Sequence, residues 1–124
     1  MTGKIYTSIF PFYDSIQHKM SFKSRPVLII AESDETDYVV LPLSRVTCKD
    51  YLDSYYDIEV NPQDYPLLNL RAVSYIRVHK QIVIHAGELG KEIADLKKEY
   101  PDIFLMVLER MEEFQKKIID NALS

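Results

Sequence analysis

Apolar positions along this chain first mix with β-branched and aromatic neighbours, then run together, and finally recur at helical spacing. Each pattern marks a different kind of element. From Lys4 to Phe12 (KIYTSIFPF) β-branched and aromatic residues predominate, with Pro11 near the end, which predicts a strand leaving its sheet there. Tyr13 to Ser24 is polar and reads as a loop. Pro26 to Glu32 (PVLIIAE) and Tyr38 to Leu43 (YVVLPL) are apolar on both parities, as strands covered on both faces are. The SDETD between them supplies a turn, so the two are predicted to pair as a hairpin.

After a loop from about Arg45 to Ser54, the segment Tyr55 to Val60 alternates, with Tyr56, Ile58 and Val60 on one side and Asp57 and Glu59 on the other. A second loop, Asn61 to Asn69, holds Pro62 and Pro66. Val73 to His85 is a further strand whose apolar parity, Ile76, Val78, Ile82 and Ile84, is interrupted by Lys80. A bulge or turn near residues 79–81 would resolve that conflict, and so would a polar pocket for Lys80. From Glu88 the period changes from strand to helix. A short helix is predicted over Lys91 to Glu99, and Tyr100-Pro101-Asp102 opens a longer one, with proline and an acid at its start. Its apolar stripe is Ile103, Val107, Met111, Phe114 and Ile118, flanked by Phe104 and Leu108, broad enough to cover the sheet and to serve a subunit contact. The prediction is one α+β domain over residues 1–124, mainly β: about five strands within residues 3–86, then helices within 88–121.

Composition restricts what such a domain does. The 124 residues carry 15 Lys and Arg against 19 Asp and Glu, a net charge of −4, which argues at first sight against nucleic acid. Divided by segment, the charge is +3 over residues 1–30, −7 over 31–70, +3 over 71–85 and −3 thereafter. Two basic stretches, 19–25 and 71–80, would form a local anion-binding surface if the fold joins them. Scattered surface lysines are the plain alternative. No apolar run reaches the roughly 20 residues of a membrane span, and the N-terminus lacks the layout of a signal peptide. The single cysteine, Cys48, excludes an internal disulfide, and the cytoplasm is the predicted compartment.

Three glycines, Gly3, Gly87 and Gly90, cannot build a phosphate-cradling loop, and no GxSxG marks a nucleophile elbow. His18, His79 and His85 have no metal-ligand spacing among themselves or with Cys48, so no metal or other cofactor is predicted. The strongest candidate chemistry lies at Lys23-Ser24-Arg25-Pro26. Proline holds the residue before it extended, so Arg25 presents its guanidinium from the rigid start of a buried strand, an arrangement suited to phosphate. The neighbouring strand ends at Leu43-Ser44-Arg45, followed by Thr47, and in an antiparallel hairpin Arg25 and Ser44 share one edge of the sheet. An exposed arginine beside a turn-forming serine is the competing reading. Lys19, Lys23, Arg45, Thr47, His79 and Lys80 are the candidate nucleic-acid contacts around that pair. Tyr51, Tyr55 and Tyr56 are either packing residues or platforms on which bases stack.

The order GKIYTSIFPF, polar loop, SRPVLIIAE, YVVLPLS, YYDIEV, followed by LRAVSYIRVHKQIVIHAGELGKEIADL, resembles the PemK/MazF family of toxin ribonucleases over roughly residues 3–90. The R-P motif falls on Arg25-Pro26, and the family's strand-end Thr or Ser on Ser44. The chain differs from many relatives in a longer, glycine-free loop before Arg25 and in His79-Lys80-Gln81 on the late strand. The resemblance implies an SH3-like small barrel of the PemK/MazF/CcdB type that homodimerises and is neutralised by a cognate antitoxin. It implies metal-independent cleavage of single-stranded RNA by 2′-hydroxyl attack, leaving a 2′,3′-cyclic phosphate, with Arg25 and Ser44 catalytic. His18 and His79 are the candidates for proton transfer, since imidazole is the side chain suited to that work. A non-catalytic module on the same barrel, or one that binds DNA gyrase as CcdB toxins do, is the alternative.

Overall fold

The computed structural model describes residues 1–45 and 49–124; for residues 10–13, 22, 23 and 49 it describes the backbone alone. Among the described residues there are seven strands: β1 (Lys4–Asp14), β2 (Lys19–Glu32), β3 (Asp37–Ser44), β4 (Asp57–Val60), β5 (Ser74–Arg77), β6 (Ile82–His85) and β7 (Leu89–Asp95). Two helices follow, α1 (Leu96–Glu99) and α2 (Pro101–Leu123). Every pairing is antiparallel, and the sheet runs β4-β5-β3-β2-β1-β7 with β6 beside β3. It does not close on itself, so the fold is mainly antiparallel β with a C-terminal helix.

The central strands are buried on both faces, as their continuous apolar runs predict. Leu28, Leu41 and Leu43 join Ile5, Ile58, Ile76 and Phe104 in the larger core, while Val27, Ile29, Val40 and Ile84 form a smaller one. Helix α2 begins with Pro101 and buries Phe104 and Val107 against the larger core. Its stripe then leaves the core: Ile118, Ile119 and Leu123 are exposed. No described helix is long and apolar enough to cross a membrane.

Three expectations change. The segment Tyr13 to Ser24 is not a loop but the far part of a β1–β2 hairpin, paired continuously from Ile5↔Leu28 to Asp14↔Lys19. Strand β3 pairs with β2 only as far as Val27, so the outer arm is a two-stranded ribbon held by backbone bonds, and its alternation is short, Met20 and Phe22 between Lys19, Ser21 and Lys23. The Asp14 carboxylate closes its turn by accepting the N–H groups of Ile16 (2.9 Å) and Gln17 (3.1 Å).

The predicted helix over Lys91 to Glu99 is instead strand β7 followed by the single turn α1. The outer edge of β1 offers unpaired backbone groups, and β7 takes them. Gly90 permits the approach, since a Cβ there would lie 2.4 Å from Thr7 Oγ1, and the Lys91 N–H donates to that hydroxyl at 2.8 Å. Five strands become seven partly for this reason. The other added strand comes from the break at residues 78–81. There the Lys80 N–H donates to the Arg77 carbonyl (3.1 Å), and four residues of β3, Val40 to Leu43, face seven, Ile76 to Ile82. Lys80 stands exposed in that turn rather than in a polar pocket.

Candidate functional site

Two ladders bear on the position of Arg25. Across β1, Ser8 faces Arg25, and its buried hydroxyl donates to the Arg25 carbonyl at 3.1 Å. Across β3, the ladder ends at Val27↔Pro42, two residues beyond Arg25, while Ser44 at the end of β3 pairs with Tyr75 of β5. Arg25 and Ser44 nevertheless line one space. That space is a cleft of about 610 Å³. Its apolar lining comes from Pro26, Leu43, Leu70 and Ile93, and its polar lining from Thr7, Ser24, Arg25, Ser44, Arg45, Asn69, Arg71 and Ser74.

The lining holds three arginines and no carboxylate. Among the described residues none of the three forms an ion pair, whereas Arg77 is held by Asp57 (Nε to Oδ1, 3.0 Å) and Lys4 by Glu92 (2.9 Å). Like charges gathered without counter-charge destabilise one another until an anion enters. Guanidinium groups bind anions such as phosphate through paired N–H donors, so the charge of this lining suits an anion. The acidic majority of the chain lies elsewhere, and the segmental charge pattern is in this respect a better guide than the net charge of −4.

The predicted contacts divide. Arg25, Ser44 and Arg45 share the cleft. Lys19 is exposed at the outer end of the hairpin arm opposite Asp14, and Lys80 lies in the β5–β6 turn; neither lines the cleft. Thr47 and the side chain of Lys23 lie outside the described residues. His18, at φ 53° in the turn at the tip of the arm, is exposed and away from the cleft.

His79 sits beneath α2, its ring 6.1 Å from the rings of both Tyr56 and Phe114. Its Nδ1 is buried without a hydrogen-bond partner among the described residues, 3.8 Å from Asp57 Oδ1. Burial pushes its pKa below the ordinary 6.5, against the pull of Asp57. Tyr55 and Tyr56 also serve the helix rather than a base: Tyr55 Oη donates to Glu113 and Arg110 stacks on its ring at 4.5 Å, while Tyr56 packs edge-on against Phe114. Tyr51 is exposed, and the Arg77 guanidinium donates to its carbonyl.

Among the lining residues that were not singled out from sequence are Arg71 and Asn69. Arg71 belongs to the basic stretch 71–85, and that charge is its only signal. Asn69 sits in a proline-bearing loop, where asparagine reads as a turn former. Among the described residues no group of three or more His, Cys, Asp or Glu is placed to hold a metal ion. Comparison with models of known protein families yields no match, and no curated protein matches the chain.

Proposed function

We propose that this protein is a metal-independent endoribonuclease of the PemK/MazF type, acting on single-stranded RNA. The observation that carries the reading is the meeting of Arg25 and Ser44 in a cleft lined by two further arginines and no carboxylate. A 2′-hydroxyl attacking its neighbouring phosphorus passes through a pentacoordinate dianion, and Arg25 supplies two parallel N–H donors to that charge. The Ser44 hydroxyl donates to a phosphoryl oxygen, the 2′-hydroxyl proton passes to solvent water as the new O–P bond forms, and the departing 5′-oxygen takes a proton back from solvent as the old O–P bond breaks. The products are a 2′,3′-cyclic phosphate and a free 5′-hydroxyl.

The same reading includes an SH3-like barrel, a homodimer, a cytoplasmic site of action and neutralisation by an antitoxin laid over the basic cleft. For the barrel, support comes from the segment after β4, which reaches across to β7 where the Asn69 amide donates to the Ile93 carbonyl at 2.8 Å. For the dimer it is the exposed apolar end of α2.

A second reading, a module that binds RNA without cutting it, is favoured by one observation: no histidine lines the cleft among the described residues. The two separate in one assay. A long mRNA is incubated with purified protein in EDTA, and cleavage that disappears with Arg25→Ala is the expected result. Cutting that EDTA abolishes, or that Arg25→Ala leaves undiminished, overturns the nuclease reading. Salt-sensitive binding with no turnover establishes the module instead.

A further inference from the structure

Asn69 combines three properties that a turn former alone does not need. It lines the cleft that holds Arg25 and Ser44. Its backbone is pinned: φ is 56°, ψ is 32°, and its N–H donates to the Pro66 carbonyl. The preceding residues are pinned as well, because Leu68 is fully buried, the Leu67 N–H donates to the Tyr100 hydroxyl (3.1 Å) and the Tyr65 ring packs edge-on against Tyr100 at 5.1 Å.

The side chain is oriented in turn. Nδ2 donates to the Ile93 carbonyl at 2.8 Å, and the reversed amide would set two acceptors against each other, so the assignment of nitrogen and oxygen is settled by chemistry. Oδ1 is left as an acceptor with no partner among the described residues. A rigid, oriented acceptor beside a phosphate-binding arginine is what base discrimination requires.

We infer that Asn69 is a specificity-determining residue that reads, through Oδ1, an amino group on the base next to the phosphate held by Arg25. The inference rests on the RNA reading above and names what that site selects. Adenine, cytosine and guanine each project an exocyclic amino donor. Uracil offers only its ring N–H, flanked on both sides by carbonyl oxygens that repel an approaching acceptor. Uridine is therefore disfavoured at one position of the bound strand, by about fivefold, the discrimination that one neutral hydrogen bond supports.

The test compares wild type with Asn69→Gly, since glycine keeps the left-handed backbone while removing the amide. A thermal melt verifies folding. A randomised RNA pool is cut and the base frequencies around the cut ends are read. Uridine depleted at one position by wild type, with the depletion flattened in Asn69→Gly, is the expected result. A purely structural Asn69 would change overall rate and leave base frequencies alone, so unchanged depletion in the variant, or no depletion in wild type, overturns the assignment while Arg25-dependent cutting keeps the nuclease reading. If no RNA is cut, the nuclease reading falls. The bound fraction of a randomised 2′-O-methyl pool then decides Asn69 by the same comparison, and failure to bind that pool overturns both.

Discussion

Ser8 and Arg25 are joined across the β1–β2 ladder by a hydrogen bond from the buried serine hydroxyl to the arginine carbonyl, 3.1 Å long. The bond tethers the backbone of the residue whose guanidinium enters the cleft, at the point where β2 loses its second partner strand. Ser8→Ala is expected to lower stability by about 1 kcal/mol, the typical worth of one such bond, and to lower the rate of RNA cutting beyond what lost folding explains. A denaturant melt and a cleavage assay on the same preparation measure both.

Arg25→Ala is expected to leave the fold intact, since the guanidinium forms no ion pair among the described residues, while reducing cleavage about a hundredfold or more. Arg25→Lys keeps the charge but loses the planar fork, so it should bind RNA and cut poorly. Equal rates for arginine and lysine at this position would contradict a role in holding the dianion.

Arg71 lines the cleft with Arg25, and under the proposed function it meets a phosphate rather than a base. Arg71→Ala should therefore weaken all single-stranded RNAs alike. The slope of log affinity against log salt should become shallower by about 0.7, the release expected for one phosphate on a single strand. Titrations at several salt concentrations decide it.

His79 makes stability depend on pH. Its folded pKa lies below the unfolded 6.5, so between those two values the unfolded chain binds more protons. Stability is then full above the unfolded value and declines as pH falls below about 6.5. The charged groups acting on it are Asp57 and Asp53, which favour its protonation, and Arg77 and Lys80, which oppose it; Lys117 of α2 lies over the adjoining Tyr56 ring. His79→Phe, which keeps a ring between Tyr56 and Phe114, should remove this decline from melts recorded between pH 5 and 7. A decline of undiminished size in the variant would assign it to other groups.

Asp57 has a fully buried carboxylate that accepts from Arg77 Nε (3.0 Å) and from the Asp53 N–H (2.8 Å). Replacing it by alanine leaves two half-buried donors without their acceptor, and Asp57→Ala is expected to cost about 2 kcal/mol. Chemical denaturation of the purified variant measures that loss directly. The strand parity places Asp57 on the solvent side of β4, opposite Ile58 and Val60, and only the arrival of Arg77 from β5 makes its burial tolerable.

What the sequence determined by itself are the features whose cause is local. Continuous apolar runs define β2 and β3 because a strand covered on both faces has no polar parity, and Pro26 holds Arg25 extended at the edge of the buried part of its strand. Pro101 starts α2 for an equally local reason, a missing N–H that the first helical turn does not use. Tertiary structure decided the rest. The hairpin arm and β7 are held chiefly by backbone bonds to one neighbour, which nearly any side chains permit, so no long periodicity announced them. Tertiary structure also separated the basic residues, sending Arg71 to the cleft, leaving Lys19 and Lys80 in open solvent and drawing His79 under α2. Charge along a chain has no direction in space until strand order and register give it one.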